Sequence, residues 1–344
     1  MMLRRHEWEF PLRLILALTV FLLLSQRSLT QDSIDYARSS SSERTANARM
    51  DLPSPQGIDN TAPWVIRKRV DEVTVFFTVT QGRTSINDLS EEEIRITDDR
   101  KPPSRISAFG HQTDLPLHLG LLVDASDSVQ YRFDFEKDAA SRFVRDILRP
   151  GMDEAFVIKF SSQSSLGQDY TDDPEQLARG ISSVTLGGET AMYDAIQNAC
   201  EKLAAVSESE PTGRILVLLT DGDDNSSKST LNQVIATAQR TEVTIYAVST
   251  DNHHLLEPQG KILNNLTLQT GGSAFFPSGA RDTERSFTAI EQDMRSRYVV
   301  SYQPRDLVLD GHFRRIQIIA KRMRKKFHVR AREGYYTPLL AQSP

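Results

Sequence analysis

The sequence predicts an α/β fold in which helices flank a doubly wound, mostly parallel, Rossmann-like sheet, together with a small all-β module. Two apolar runs, at 117–123 with one His and at 215–219 without a polar residue, are typical of parallel strands buried on both faces. Strand-like and helical segments alternate around them, and this order favours right-handed crossovers and a parallel sheet. Strand-rich segments without helices come before and after this region, and they predict the all-β module.

The individual elements follow in chain order. The first block contains predicted strands at 73–79, 94–96 and 106–109. The alternating region then predicts strands at 117–123, 155–160, 215–219, 243–248 and 275–276, and helices at 135–147, 194–203, 231–239 and 283–294. The last block predicts a strand at 298–302 and a hairpin formed by 314–320 and 327–332.

Composition excludes several classes of protein. The 344 residues carry 41 Lys and Arg against 46 Asp and Glu, and a net charge of −5 disfavours a general nucleic-acid binder. The single cysteine, Cys200, excludes an intramolecular disulfide, a Cys-rich zinc site and an iron–sulfur cluster. Cys200 lies on the inner face of a predicted helix, so we expect it to fill the core.

The N-terminus has the pattern of a targeting segment. Arginines precede or begin an uncharged apolar run at 14–24, which has the length of a signal-peptide core and is short for a membrane span. We therefore expect a signal peptide or N-terminal anchor at 1–28, and a periplasmic, cell-surface or secreted protein. A disordered Ser/Pro-rich linker at 29–63 follows it.

The predicted secondary structure divides the remaining chain into regions. Residues 64–112 and 297–337 predict one β-sandwich-like module built from both flanks of the chain, and 113–296 predict the α/β domain. Residues 338–344 form a short tail. We expect a monomeric module.

Polar side chains follow both buried strands. Asp124, Ser126 and Ser128 come directly after 117–123, and Asp221 follows 215–219. In extended backbone the first three share a side, and a Gly187-Gly188 loop can bring the Thr190 hydroxyl to the same edge of the sheet. Carboxylate and hydroxyl oxygens suit Mg²⁺, and Mn²⁺ or Ca²⁺ as alternatives.

This set of ligands also suggests a way of binding a protein. Hydroxyls bind a cation without adding negative charge, so an ion held mainly by hydroxyls stays electropositive. A partner protein that presents an Asp or Glu carboxylate would supply the missing anion, with the metal as the bridge.

The segments DASDS, GGET and LLTDG resemble the metal-ion-dependent adhesion site (MIDAS) of von Willebrand factor A domains. With the flanking strand-rich segments, the chain resembles the exported bacterial "VWFA-related" proteins described from Acidobacteria. The resemblance implies that Ser126, Ser128 and Thr190 are direct ligands, and that Asp124 and Asp221 act through water. This sequence departs from the family pattern at two positions. Asp127 stands where glycine is common, and Glu189 separates Gly188 from Thr190, where the family usually has Gly directly before Thr.

Two other functions are alternatives to metal-dependent adhesion. A haloacid-dehalogenase-like phosphatase needs a second Asp two residues after the first, and Ser126 occupies that position. A phosphate-binding loop and a serine-hydrolase elbow are missing from the sequence as well. We therefore predict no catalytic residues, no organic cofactor and no enzyme activity. The second alternative is a scaffold with a purely structural cation.

Other polar features have simpler interpretations. Ser126 or Ser128 could cap a following helix. We expect 223–225 to be a solvated turn and the basic run at 321–326 to be the wet face of a hairpin. His253-His254 lacks nearby Cys, so we expect a loop pair without metal. We expect no nucleic-acid partner, and membrane contact only through an uncleaved N-terminal anchor.

Overall fold

The structure is a computed structural model that describes residues 72–82, 84–130, 133–206, 212–250 and 256–339. The predicted signal or anchor at 1–28, the linker at 29–63 and His253-His254 lie outside these residues, as do 340–344 of the predicted tail. All of the described residues belong to one compact unit.

The strands of the described residues are, in chain order, β1 (Val73–Gln81), β2 (Thr84–Ser85), β3 (Ile94–Asp98), β4 (Arg105–His111), β5 (Leu117–Asp124), β6 (Glu154–Phe160), β7 (Ser164–Thr171), β8 (Gly213–Thr220), β9 (Val243–Ser249), β10 (Ala274–Phe275), β11 (Tyr298–Gln303), β12 (Phe313–Arg322), β13 (Lys325–Lys326), β14 (His328–Ala331) and β15 (Gly334–Tyr336). The α-helices are α1 (Phe133–Ile147), α2 (Pro174–Ser182), α3 (Met192–Ala205), α4 (Leu231–Arg240), α5 (Pro258–Thr270) and α6 (Ala280–Arg295).

A six-stranded sheet forms the centre of the α/β region, in the order β10-β9-β8-β5-β6-β7. Its strands run parallel except for β7, which pairs antiparallel with β6. All residues of β5 are buried, because helices cover both faces of the sheet. Apolar residues of α1 and α6 pack on one face, and those of α3, α4 and α5 pack on the other. The predicted fold class is confirmed.

Two further sheets face each other across a separate apolar core. A five-stranded sheet has the order β14-β1-β11-β4 with β2 beside β1, and a four-stranded sheet has the order β13-β12-β15 with β3 beside β12. Val75, Phe77, Val300 and Ile318 are among the buried residues of this core. Because β11 lies between β1 and β4, both flanks of the α/β region contribute to one sheet.

The predicted hairpin of 314–320 and 327–332 is wrong. β12 pairs with β3, β13 and β15, whereas β14 pairs with β1 in the opposite sheet. The chain crosses between the two sheets at buried Phe327. Alternating burial looks the same for strands of one sheet and of two facing sheets, so the pattern could not distinguish them.

Six of these strands and helices were not predicted from the sequence: the short strands β2, β13 and β15, and the longer elements β7, α2 and α5. β7 is a mostly polar edge strand, and α2 is a short helix that contains Gly180. α5 has only a weak apolar stripe and contains Gly260. In the described part of the chain, none of the helices combines the length and the apolar character needed to cross a membrane.

Candidate functional site

Asp124 is the last residue of β5, and its carboxylate is fixed from two sides. The side chain is buried, and Oδ1 accepts a hydrogen bond from the Ser126 backbone N–H at 2.9 Å. Oδ2 accepts a second bond from Thr220 Oγ1 at 2.7 Å. Thr220 ends β8, the parallel neighbour of β5, so the sheet itself brings these two groups together.

Burial is the main reason that the pKa of Asp124 is raised to about 6, and the charge of Asp221 contributes in the same direction. The hydrogen bonds from Thr220 and Ser126 oppose this shift because they favour the ionised carboxylate. The site therefore concentrates negative charge where water is scarce. A nearby cation would favour the ionised carboxylate.

Ser126 and Ser128 lie together, but not for the reason predicted. The strand ends at Asp124, and Asp127–Val129 forms a short 3-10 helix, so extended alternation does not continue through these residues. The turn instead places the Ser126 and Ser128 hydroxyl oxygens 3.0 Å apart. Ser126 precedes the 3-10 helix without capping it through its side chain, so the capping alternative is not supported for this residue.

The Gly187-Gly188 segment is bonded to the loop after β5. Gly187 N–H donates to the Ala125 carbonyl at 2.7 Å, and Asp127 N–H donates to the Gly188 carbonyl at 3.3 Å. Asp127 Oδ2 accepts from Gly188 N–H at 3.4 Å. Asp127, where the family commonly has glycine, thus connects the two loops through its side chain.

Thr190 is buried and is held through its backbone. Its N–H donates to Asn225 Oδ1 at 2.9 Å, and its carbonyl accepts from the backbone N–H groups of Asn225 and Ser226 at 3.0 and 3.1 Å. Glu189, the second departure from the family, is exposed. The loop after β8 therefore positions Thr190 at the same edge as Asp124.

Residues 223–225 were predicted to be a solvated turn; Asn225 is exposed, but Asp223 and Asp224 are half-buried and hydrogen-bonded to the protein. Asp224 Oδ2 accepts from the Tyr193 backbone N–H at 2.8 Å and from the Ser227 hydroxyl at 2.6 Å. Asp223 Oδ1 accepts from the Gln259 side-chain amide at 2.8 Å. Asp224 thereby supplies an acceptor to a backbone N–H in the first turn of α3, and Asp223 connects the loop to the side chain of Gln259 in α5.

Asp221 completes the predicted set. It is buried directly after β8, and its Oδ1 accepts from the Asp223 backbone N–H at 3.0 Å. The carboxyl ends of β5 and β8 thus bring the two predicted aspartates to one edge, with Ser126, Ser128 and Thr190 on adjoining loops.

The donor set at this edge consists of oxygen atoms. In the described residues, no group of three or more His, Cys, Asp or Glu side chains is arranged to hold a metal ion. A cation here would depend on the hydroxyls of Ser126, Ser128 and Thr190, which are ligand types that hard cations accept. The residues present fit a hard divalent cation better than a thiolate- or imidazole-bound metal.

Thr220 and Asn225 are functional residues that sequence reasoning did not identify. Thr220 orients Asp124, and Asn225 orients Thr190. The parallel register, which places Val123 opposite Leu219, would identify Thr220 as the neighbour of Asp124. The sequence pattern contains no comparable signal for Asn225, because its partner is 35 residues away.

Comparison with known proteins adds the following. Residues 118–284 match the family model of the von Willebrand factor type A domain. A comparison with curated proteins gave no match. Among solved structures, a von Willebrand factor type A protein from Catenulispora acidiphila is similar at 13% identity, covering 77% of this chain and 76% of that chain, with a TM-score of 0.45.

Two other solved structures are similar at comparable levels. An aerotolerance-related membrane protein from Bacteroides fragilis has 15% identity over 52% of this chain and 98% of that chain, with a TM-score of 0.42. Proximal thread matrix protein 1 from the mussel byssus, with a zinc-occupied MIDAS motif, has 19% identity over 54% of this chain and 47% of that chain, with a TM-score of 0.45. The family match coincides with the six-stranded sheet and its helices, so residues 118–284 have the fold of a von Willebrand factor type A domain.

Proposed function

We propose that this chain is a metal-dependent protein-binding module that acts outside the cytoplasm. The observation that carries the proposal is the buried Asp124 carboxylate, fixed by Thr220 and Ser126 at the strand edge where the Ser126 and Ser128 hydroxyls meet. The domain family often mediates metal-dependent protein interactions, which supports this function.

The proposed roles follow the chemistry of each group. Ser126, Ser128 and Thr190 would hold the cation directly, and Asp124 and Asp221 would act through water. The cation, when bound, would offer its remaining positive charge to a carboxylate of the partner. Asp127 and Asn225 would keep the two adjoining loops in register.

Mg²⁺ is the proposed cation, with Mn²⁺ or Ca²⁺ as alternatives. Hydroxyl and carboxylate oxygens are hard ligands, and Mg²⁺ retains water molecules that the two aspartates would bind. Zinc occupies the MIDAS motif of the mussel protein. The oxygen-only donor set of this chain favours a harder ion.

We propose that the module has no enzyme activity. Ser126 stands where a haloacid-dehalogenase-like phosphatase requires a second aspartate as the general acid. The proposed export rests on the apolar run at 14–24 and on the resemblance to exported bacterial proteins.

Calorimetric titration with Mg²⁺ tests the metal site. Wild type is expected to bind, Asp124→Ala to lose binding, and Ser128→Ala to weaken it by about tenfold, because one ligand is lost. Asp146→Ala is the matched control, since Asp146 is exposed near the opposite end of α1. Equal binding by wild type and Asp124→Ala would contradict the proposed site.

A pull-down from envelope extract tests the bridging role. The partner is expected to be retained in Mg²⁺, released by EDTA, and lost with Asp124→Ala but kept with Asp146→Ala. Replacement of the partner's contacting Asp or Glu should then abolish binding in Mg²⁺. Full retention in EDTA, combined with normal metal binding, would favour the purely structural cation.

A further inference from the structure

One face of the four-stranded sheet carries a concentration of cations. β12 places Ile319 opposite Arg95 of β3 and Lys321 opposite Lys326 of β13. Residues directly opposite each other share a face of the sheet, as do residues two apart along one strand. Arg95, Ile319, Lys321 and Lys326 therefore lie on one face, which we call the basic face.

The cations of the basic face are exposed and lack acidic partners. Arg95, Lys321 and Lys326 are all exposed, and none of them forms a salt bridge within the described part of the chain. The adjacent Arg322 follows the opposite alternation, and there Asp88 and Glu93 hold its guanidinium at 3.2 and 2.5 Å. Asp88 and Glu93 thus neutralise Arg322 and not the cations of the basic face.

The arrangement has an energetic cost. Like charges directly opposite each other in an antiparallel pair destabilise that pair, and Lys321 and Lys326 are such a pair. β13 has only two residues, so its pairing has little other support. An external anion would relieve this repulsion. If the face were only solvated, replacing one of the two lysines by a neutral residue would make the strand pair more stable, so solvation alone does not explain both lysines.

The turn beside the basic face exposes an apolar side chain. Met323 is 96% exposed and has a φ of 54°, a left-handed conformation that is uncommon for residues other than glycine. Arg324 follows it in the turn. An apolar tip flanked by cations suits the boundary between phospholipid headgroups and acyl chains.

We propose that the basic face and Met323 dock on a bilayer that contains anionic phospholipids. The whole chain has a net charge of −5, so most of its surface is not basic. A long soluble polyanion that extended beyond the basic face would be repelled by the acidic residues there. A flat lipid surface meets the basic face alone. This contact is independent of the proposed metal site and of any N-terminal anchor.

A fluorophore at the turn tests the proposal in the full chain. Cys200 is fully buried and its thiol pKa is raised to about 12, so an environment-sensitive dye can be attached selectively to Met323→Cys. The labelled protein is mixed, in EDTA, with vesicles of phosphatidylcholine alone or with added phosphatidylglycerol. Leu256→Cys, also strongly exposed, carries the dye as the control position.

We expect a blue shift at position 323 with phosphatidylglycerol vesicles only, lost in high salt. The double variant Lys321→Glu with Lys326→Glu should bind these vesicles at least about 30-fold more weakly, as measured by the vesicle concentration that gives half of the shift. Each basic residue contributes to the attraction to the anionic surface. The matched control is Lys228→Glu with Lys261→Glu, two exposed lysines elsewhere. Far-ultraviolet circular dichroism verifies the folding of both variants.

Several outcomes would overturn the proposal. They are equal shifts with neutral and anionic vesicles, no shift with either, a shift of the same size at position 256, or an unchanged response in the Lys321 and Lys326 variant. A shift with a short RNA duplex and none with anionic vesicles would assign the basic face to nucleic acid instead.

Discussion

Thr220 shows how a single hydroxyl can organise the candidate site. It donates to Asp124 Oδ2 and accepts from the Gly222 backbone N–H at 3.1 Å, so it connects the ends of β5 and β8. Thr220→Val keeps the shape but removes both bonds. We expect a loss of about 1–3 kcal/mol in the free energy of unfolding, because a buried carboxylate oxygen loses its donor. Urea denaturation measures it.

The same substitution should also weaken Mg²⁺ binding by about tenfold, because the orientation of Asp124 is less well fixed. Thr220→Ser is the matched control, since it keeps the hydroxyl and should stay close to wild type in both measurements. If Thr220→Val and Thr220→Ser bind Mg²⁺ equally, Thr220 does not position the carboxylate.

Cys200 supports a second prediction at the level of one residue. It is the only cysteine, it is fully buried, and burial raises its thiol pKa to about 12. The thiolate is the reactive form, so the native chain should not react with a disulfide reagent at pH 8. The same titration in guanidinium should detect one thiol per chain. Rapid reaction of the native protein would show that α3 opens readily.

At the level of elements, the Gly187–Thr190 loop depends on backbone conformation. Gly188 has a φ of 98°, a backbone conformation that residues with a side chain rarely adopt. There is room for a Cβ at this position, because its nearest neighbour would be Ser162 Oγ at 3.4 Å. Gly188→Ala should therefore cost about 1–2 kcal/mol through the backbone alone. The loop would shift relative to Asp127, and Mg²⁺ affinity should fall in calorimetry.

Gly279→Ala is the control for this loop. Gly279 precedes α6 in extended backbone, with a φ of 174°, and a Cβ there would meet no atom within 4 Å. It should bind Mg²⁺ as wild type does. A Gly188→Ala variant with unchanged stability and unchanged Mg²⁺ affinity would mean that the loop does not need glycine at this position.

Elements differ in how well the sequence predicts them. β5 and β8 are unambiguous because both faces are buried and each strand contains a long, mostly apolar run. Asp124, Ser126 and Asp221 follow from these strand ends. β7 and α5 lack such a signal, because an edge strand can be polar and α5 is stabilised by packing against β9 and β14. Asn225 was missed because its role depends on a contact between two loops.

At the scale of the whole molecule, the two apolar cores are joined by buried polar contacts. Arg332 lies after β14, and its Nη2 donates to the Thr74 carbonyl at 2.8 Å and to Glu242 Oε1 at 2.9 Å. Arg297 Nη2 donates to Thr244 Oγ1 at 2.8 Å. Arg330 forms an ion pair with Asp293 of α6. Because these contacts connect the two cores, we expect that opening one core also destabilises the other.

Arg332→Ala tests this coupling. The side chain is only 8% exposed, and its removal leaves the Thr74 carbonyl without this donor and Glu242 without its cation. We expect a loss of about 2–4 kcal/mol in the free energy of unfolding. Hydrogen exchange of β5 and of β11 should accelerate by the same factor, because both sheets would unfold in one cooperative step.

Arg315→Ala provides the matched comparison. Arg315 pairs with Glu333 at 3.1 Å, but its side chain is 70% exposed, so its loss should change stability by no more than about 0.5 kcal/mol. If Arg332→Ala accelerates exchange in β11 while β5 stays protected, the von Willebrand factor type A domain folds independently of the β strands that flank it. Equal acceleration in both sheets would mean that the α/β region reaches its full stability only while the β module beside it is intact.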